Sequence, residues 1–179
     1  MDDGNISSNN KFGKRRKINH LMIECMVVDM AHTYTSTNIH YIFGTKNCAK
    51  IIVKGIQSRL WAYIGGVARN NNMKAIQVGG ITDHVHIILS IPPTITVAKA
   101  IQLIKGNTSK WINDERIIRG RFSWQQGYGA FSVSYSQLHN VIRYIQNKAI
   151  HHRKFTFKEE YLMLLERNNI QYDDRYLYK

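Results

Sequence analysis

Apolar residues recur with two different periods along this chain, and each period predicts one kind of element. Around Ile39, Tyr41 and Phe43 every second residue is apolar and points the same way, which is typical of a strand. Elsewhere the period is three to four residues, which is typical of an amphipathic helix. The pattern predicts the order β-α-β-β-α-β-α-α: a strand within 33–45, a helix over 50–72, strands over 73–78 and 84–90, a helix from Thr94 or Thr96 to about 113, a short strand within 119–134, a helix from 137 to about 152, and a helix from Thr156 to about 168.

Residues that favour turns and helix starts mark several of these boundaries. Gly79 and Gly80 predict the turn between the second and third strands. Ser136 is a candidate cap for the helix that starts at 137. Thr156 and Glu159 have the spacing of a capping box, which predicts the start of the last helix.

The first six elements have the order βαββαβ, which is that of the split-βαβ, ferredoxin-like fold. This α+β fold, shared with RRM domains, has an antiparallel sheet with two helices on one face, so the other face can hold a ligand. In RNA-binding proteins of this fold, aromatic side chains on that face stack on bases. We therefore predict a ferredoxin-like α+β domain, followed by C-terminal helices that carry Tyr144.

The first 30 residues differ in composition from the rest of the chain. A polar, aperiodic stretch precedes a short apolar run, as in a signal peptide, but Glu24 interrupts the run and no small-residue cleavage site follows. Met30 begins a segment that resembles a natural start. We expect a disordered or loosely held extension over 1–30 and a single domain over 31–179. Because there is no long apolar run and the two cysteines lack disulfide-type spacing, we expect a cytoplasmic protein with no membrane partner.

Basic residues outnumber acidic ones by 25 to 12, and they are unevenly distributed. Residues 31–82 carry six Lys or Arg and no acid, and residues 116–158 carry eight and again no acid. Such stretches form positive surfaces that suit a phosphate backbone or an anionic membrane. Because no basic amphipathic helix of the membrane-binding type is evident, the charge favours a nucleic acid as the partner.

The segment GGITDHVHIILSIPP, residues 79–93, places two histidines one residue apart in an apolar strand. Alternation sends His84 and His86 to one face of the sheet and sends Val85 and Ile87 to the core. The pair could serve a function on that face of the sheet. The other interpretation is structural, with one histidine capping the strand and the other hydrogen-bonded in the core.

A second candidate lies on the predicted helix QLHNVIRYIQNKAIHHRK, which carries Tyr144 among basic side chains. A tyrosine in such surroundings suits attack on a phosphodiester, because its oxygen can form a covalent phosphotyrosine. Nearby cations and a divalent metal ion would neutralise the phosphate. The alternative is that Tyr144 is simply a packing residue, one among ten tyrosines.

Together these motifs resemble those of the single-tyrosine HUH transposases, the small IS200-like and REP-associated enzymes that act on single-stranded DNA. The resemblance covers about residues 31–179. His84-Val85-His86 matches the His–hydrophobic–His motif, and Tyr144 begins a match to the family's Tyr-Ile-x-x-Gln pattern. Three further segments are similar: QGYGAFSVS at 126–134, HHRKFTFKEEY at 151–161 and YDDRYL at 172–177.

The resemblance implies an activity, a cofactor and a partner. His84 and His86 would bind one Mg²⁺ or Mn²⁺, and Tyr144 would attack the scissile phosphate. The products would be a 5′-phosphotyrosine and a free 3′-hydroxyl that can later rejoin strands. The family also implies a homodimer, in which the tyrosine helix of one subunit completes the site of the other. Its substrate would be single-stranded DNA with a hairpin near the element end.

One position departs from the family pattern. The family's third metal ligand is a Gln four residues after the tyrosine, where this chain has Lys148. A protonated amine cannot bind a metal ion. The site could be completed by water or DNA oxygens, Lys148 could contact the phosphate itself, or the enzyme could be weakened. His151 or His152 could reach the metal only by a shift of the helix, and Asp83 could orient an imidazole.

Six residues are candidates for contacting DNA, by charge or by stacking on bases. They are Arg121, Trp124, Tyr128, Arg143, Arg153 and Lys154. Two other functions stay open. A non-catalytic module that binds DNA or RNA hairpins is favoured by Lys148, and a metal-dependent nuclease without a covalent intermediate would not need Tyr144.

Overall fold

The computed structural model describes residues 34–147 and 155–173, which belong to one compact unit. Its elements are β1 (Asn38–Gly44), a 3-10 turn (Lys46–Cys48), α1 (Lys54–Asn70), β2 (Lys74–Gly80), β3 (His84–Ser90), α2 (Val97–Asp114), β4 (Gly129–Ser132), α3 (Tyr135–Gln146) and α4 (Phe157–Arg167). The extension expected over 1–30 lies outside the described residues, so the predicted division of the chain stays a prediction. None of the described helices is long and apolar enough to cross a membrane.

The four strands form one antiparallel sheet with the order β2-β3-β1-β4. The two central strands are β1 and β3, and every residue of β1 is buried. Their register pairs Ile42 with His86 and Gly44 with His84, so the end of β1 lies beside the histidines. This order of elements and strands is that of the ferredoxin-like α+β fold, and the predicted fold class is confirmed.

One face of the sheet holds the main hydrophobic core, under α1 and α2. Tyr41 and Phe43 of β1 lie there beside Val85, Ile87 and Leu89 of β3, all fully buried. Burial of each such side chain contributes about 1.5–3 kcal/mol to stability. Alternation assigns these residues to the core and the histidines to the other face, and this prediction is confirmed.

The opposite face, which a ferredoxin-like sheet leaves open, is covered in this chain by the C-terminal helices. Ile42 and Phe131 of the sheet pack against Phe157, Tyr161 and Leu165 of α4 in a second, smaller apolar cluster. The two histidines of β3 point to this side. The fold therefore encloses them between the sheet and α4.

The first helices begin within a few residues of their predicted starts. α1 begins at Lys54 rather than at 50, because the preceding segment pairs with a neighbouring turn and the N–H of Ile52 donates to the carbonyl of Thr82. Thr96 is the cap of α2, since its hydroxyl accepts the N–H of Lys99.

The two C-terminal helices also begin at or near predicted caps. α3 begins at Tyr135, after Ser134, rather than at 137. Thr156 and Glu159 form the predicted capping box, in which the Glu159 carboxylate accepts the N–H of Thr156 at 2.7 Å. This cap fixes the first turn of α4, where Glu160 is the next residue.

A lysine holds the loop that leads into β4. The ammonium group of Lys105 in α2 donates to the carbonyls of Gln125, Gln126 and Gly127 at 2.7, 3.0 and 3.0 Å. Burial lowers the pKa of Lys105 to about 8. These contacts fix the path of the first residues of the family-like segment QGYGAFSVS.

Candidate metal and tyrosine site

The two histidines predicted to bind a metal ion stand at the start of β3. His84 and His86 are both fully buried, and their ring centroids lie 5.0 Å apart. Phe157 of α4 stacks on His84 with a centroid distance of 4.6 Å. The strand brings the pair together on one face, as the alternation predicts.

Each imidazole is held through its Nδ1 atom by a neighbouring side chain. Nδ1 of His84 lies 2.7 Å from Oδ1 of Asp83, the residue that the sequence suggests could orient an imidazole. Nδ1 of His86 lies 2.9 Å from Nε2 of His40 in β1. Both Nε2 atoms approach Glu160, at 3.4 Å from Oε2 for His84 and 3.2 Å from Oε1 for His86.

Glu160 is a buried carboxylate that the sequence analysis missed. It is only 5% exposed and lies on the inward face of α4. The other buried residues of that face are Phe157, Tyr161, Leu164 and Leu165, at the spacing of an apolar helical stripe. An acid within such a stripe is a signal available from the sequence, because acids are almost never fully buried without a partner.

His84, His86 and Glu160 form a group that could hold a metal ion. One ligand atom from each residue lies within 4.8 Å of the others. Two imidazole nitrogens and a carboxylate oxygen are donors that divalent transition metals accept. A positive ion would also offset the cost of burying the carboxylate. The donor set therefore fits a divalent metal ion.

Tyr144 of α3 meets this group at Glu160. Its hydroxyl donates a hydrogen bond to Oε1 of Glu160, the same oxygen that approaches His86. The half-buried ring meets those of His86 and His40 edge to face, with centroid distances of 5.9 and 6.5 Å. Burial raises the pKa of Tyr144 to about 12, an effect that Arg167 opposes. The hydroxyl therefore keeps its proton at neutral pH and needs an acceptor in order to attack.

A glycine lets α3 approach the sheet closely enough for this contact. A Cβ atom at Gly79 of β2 would lie 2.6 Å from Cγ2 of Ile145 and 3.2 Å from the Ile145 carbonyl oxygen. Gly79 is the partner of His86 in the sheet, and the buried Ile145 is the neighbour of Tyr144. The packing at Gly79 therefore sets the height of the tyrosine above the histidines.

The residues predicted to contact DNA differ in their exposure to solvent. Arg121 and Arg143 are exposed, as contact with phosphates requires. Trp124 is buried, its ring lies 4.8 Å from that of Phe43, and its N–H donates to the Thr108 hydroxyl at 2.9 Å. The prediction that Trp124 stacks on a base is therefore corrected, because its ring is part of the core.

Tyr128 also lies away from the histidines. Its half-buried ring is 6.2 Å from that of Tyr41, on the face of the sheet that α1 and α2 cover. A role in binding DNA would thus be separate from the metal and tyrosine site. Lys148, Arg153 and Lys154 lie outside the described residues.

Most of the sequence is similar to a known protein family. The sequence profile of the family described as "Transposase IS200 like" matches residues 33–148, which is well over half of the chain. No curated protein sequence matches this chain.

Two solved structures are similar in fold. A Deinococcus radiodurans R1 protein assigned as a transposase has 19% sequence identity and a TM-score of 0.54, with 68% of this chain and 98% of that chain covered. A REP-associated tyrosine transposase bound to a REP hairpin has 13% identity and a TM-score of 0.51, with 70% and 74% covered. At such identities the likeness shows the shared fold.

Proposed function

Since this chain belongs to the IS200-like transposase family, we propose that it cleaves and rejoins single-stranded DNA through a covalent bond to Tyr144. A divalent metal ion held by His84, His86 and Glu160 would assist. The observation that carries the proposal is the convergence of these side chains on one carboxylate. Phosphoryl transfer needs such an arrangement, because the nucleophile and the neutralising charge must act on one phosphate.

The proposed metal ion is Mg²⁺ or Mn²⁺, of which the two imidazoles favour Mn²⁺. When bound, it would polarise the scissile phosphate as a Lewis acid. His84 and His86 would hold it through Nε2, and Glu160 through a carboxylate oxygen. Glu160 would then be the third metal ligand, which in the family pattern is a Gln at the position of Lys148.

Tyr144 is the proposed nucleophile. Its oxygen attacks the phosphorus, and the new O–P bond forms as the bond from phosphorus to the 3′ oxygen breaks. The products are a 5′-phosphotyrosine and a 3′ oxygen that takes up a proton from solvent. The tyrosine proton passes along the hydrogen bond to Glu160, an acceptor that is needed because the pKa of Tyr144 is about 12. Attack of a 3′-hydroxyl on the phosphotyrosine reverses these steps and rejoins a strand.

The proposed substrate is single-stranded DNA that carries a hairpin, and the proposed location is the cytoplasm. The solved REP-associated tyrosine transposase was bound to a REP hairpin. The two acid-free stretches of this chain suit a phosphate backbone. Phosphate contacts are proposed for Arg121, Arg143, Arg153 and Lys154.

The proposed active form is a homodimer in which each tyrosine helix completes the site of the other subunit. In the described chain the Tyr144 hydroxyl is hydrogen-bonded to Glu160 of the same chain. The exchange must therefore break this hydrogen bond in both subunits. Mixed dimers of Tyr144→Phe and His84→Ala subunits test the exchange. They should regain activity, because one complete site forms across the interface. Inactive mixed dimers would mean that Tyr144 acts within its own subunit.

The second candidate function is a hairpin-binding module that has lost catalysis. It is favoured by Lys148, which stands where the family has a metal-binding Gln. It is opposed by the buried group of His84, His86 and Glu160, because these side chains offer the donor set of a metal site.

The test uses hairpins with randomised stems and flanks, labelled at either the 5′ or the 3′ end, in the presence of Mn²⁺. Wild type should form an adduct on a denaturing gel that carries only the 3′ label, because a 5′-phosphotyrosine retains the downstream fragment. Tyr144→Phe should bind the hairpins without forming the adduct. An adduct in Lys148→Gln alone would indicate an impaired enzyme, and binding without any adduct would support the binding module. Cleavage that persists in Tyr144→Phe would indicate a nuclease that uses water.

A further inference from the structure

His84 and His86, two of the proposed metal ligands, are each hydrogen-bonded through Nδ1. Their two partners differ in chemistry. Asp83 is a carboxylate, so its Oδ1 atom accepts a hydrogen bond from the Nδ1–H group of His84, with the two atoms 2.7 Å apart. The partner of His86 is instead His40, whose Nε2 lies 2.9 Å from Nδ1 of His86. An imidazole nitrogen can either donate or accept, so the direction of this second hydrogen bond must be set by something else.

Metal binding sets the direction. A neutral imidazole carries one proton, and a ring that binds a metal through Nε2 must carry it on Nδ1. Nδ1 of His86 must then donate, and Nε2 of His40 must accept. This requires that His40 carries its own proton on Nδ1.

We propose that His40 is a positioning residue that fixes the tautomer and the orientation of His86, because its Nε2 atom accepts a hydrogen bond from the Nδ1–H group of His86. The inference rests on the proposed metal site. It assigns to His40 the task that Asp83 performs for His84, and it explains why a third histidine lies beside the pair.

The packing of His40 is suited to this task. It lies in β1 two residues before Ile42, the partner of His86 in the sheet, so both rings are on the same face. The rings stack with a centroid distance of 5.2 Å and an angle of 23°. Phe131 and Tyr144 lie against the His40 ring at 6.1 and 6.5 Å. With an exposure of 4%, the ring is held in place from several sides.

The direct test reads the tautomers of the wild-type protein. Long-range ¹H–¹⁵N spectra distinguish a protonated from an unprotonated ring nitrogen, and Mg²⁺ is a diamagnetic probe. In the Mg²⁺-loaded protein we expect His86 and His40 both to be protonated at Nδ1 and unprotonated at Nε2. A proton on Nε2 of His40, with Mg²⁺ bound, would overturn the proposal.

Variants test the consequence for metal affinity, measured as the loss of the free Mn²⁺ signal in electron paramagnetic resonance. His40→Leu fills the space without an acceptor and should weaken Mn²⁺ binding about 10–100-fold. His40→Gln restores an accepting oxygen and should recover most of the affinity. Tyr41→Phe is the matched control, because it removes one partly buried hydrogen bond from the adjacent residue, whose side chain lies on the opposite face of the sheet. It should bind Mn²⁺ like wild type.

His84→Ala separates failure of this inference from failure of the proposed function. If His84→Ala binds Mn²⁺ as well as wild type does, the proposed metal site is excluded, and the role proposed for His40 is excluded with it. If binding needs His84 but is unchanged in His40→Leu, only the role of His40 is overturned.

Discussion

Tyr144 donates its hydroxyl hydrogen bond to Glu160, and this bond joins α3 to α4 above the sheet. The same carboxylate approaches Nε2 of His84 and Nε2 of His86. A nucleophile from one helix and a proposed metal ligand from the next are thus in direct contact. The roles proposed for Tyr144 and Glu160 need this contact, either within one chain or, after the proposed exchange, between the two subunits.

Replacing Glu160 by Gln should remove most of the metal affinity. The amide keeps the size of the side chain but loses the negative charge that balances a divalent ion. We expect Mn²⁺ affinity, measured by titration calorimetry, to fall at least about 100-fold. This is more than the loss expected when a residue that only hydrogen-bonds a metal ligand is replaced. Glu166→Gln is the control, because Glu166 is an exposed acid on the same helix. Equal affinities in the two variants would exclude Glu160 as a ligand.

Replacing Tyr144 by Phe should separate chemistry from binding. The variant loses the proposed nucleophile but keeps the ring, so hairpin affinity in a gel-shift assay should stay within about twofold of wild type while the covalent adduct disappears. Tyr135→Phe is the matched control, since Tyr135 lies on the same helix and is 62% exposed. Its adduct should form at the wild-type rate. Loss of the adduct in Tyr135→Phe alone would mean that the nucleophile is Tyr135 and not Tyr144.

Replacing Gly79 by Ala should push α3 away from the sheet. The new methyl group would lie 2.6 Å from Cγ2 of Ile145 and 3.2 Å from its backbone oxygen. We expect a loss of about 1–3 kcal/mol in the free energy of unfolding, and slower formation of the adduct. At Gly65 in α1 a new methyl group would meet no atom within 4 Å apart from its own stretch of helix, so Gly65→Ala should gain about 0.5–1 kcal/mol in the free energy of unfolding. Wild-type adduct rates in Gly79→Ala would show that this packing does not position Tyr144.

The stability of the domain should fall at alkaline pH. Burial raises the pKa of Tyr41 above its ordinary value, and its hydroxyl donates to the carbonyl of Val97 at 3.0 Å. The unfolded chain therefore releases this proton at a lower pH than the folded protein does. The stabilisation is complete below the unfolded pKa of about 10 and is lost as pH rises toward the folded pKa.

Urea unfolding between pH 7 and pH 11 measures this loss. Tyr41→Phe should cost about 1 kcal/mol at pH 7 through the lost hydrogen bond, and should lose less stability than wild type above pH 10. Tyr161 and Tyr144 also have raised pKa values, so some alkaline loss should remain in the variant. If Tyr41→Phe lost as much stability as wild type above pH 10, the pKa of Tyr41 would not be the cause of the alkaline loss.

The sheet and the histidine pair could be predicted from the sequence because they depend on short-range periods. Alternation along β3 determines which residues share a face, so the opposite sides of His86 and Ile87 follow from their positions alone. Helix starts were predicted to within a few residues where a cap was visible, as at Thr96 and Thr156.

The rest of the site depends on how distant elements pack, which no local period encodes. Glu160 reaches the histidines because α4 folds back over the sheet, and His40 reaches His86 because of the β1–β3 register. Trp124 was misjudged for the same reason, since a tryptophan in a polar loop gives no local sign that its ring enters the core.

The most direct test of the central claim is mass spectrometry of the protein after reaction with single-stranded hairpin DNA and Mn²⁺. After nuclease and protease digestion, we predict one peptide that carries a nucleotide joined through its 5′ phosphate to the oxygen of Tyr144. The modification should be absent from Tyr144→Phe and strongly reduced in Glu160→Gln. A nucleotide attached to another residue, or cleavage of the DNA with no modified peptide, would contradict the account.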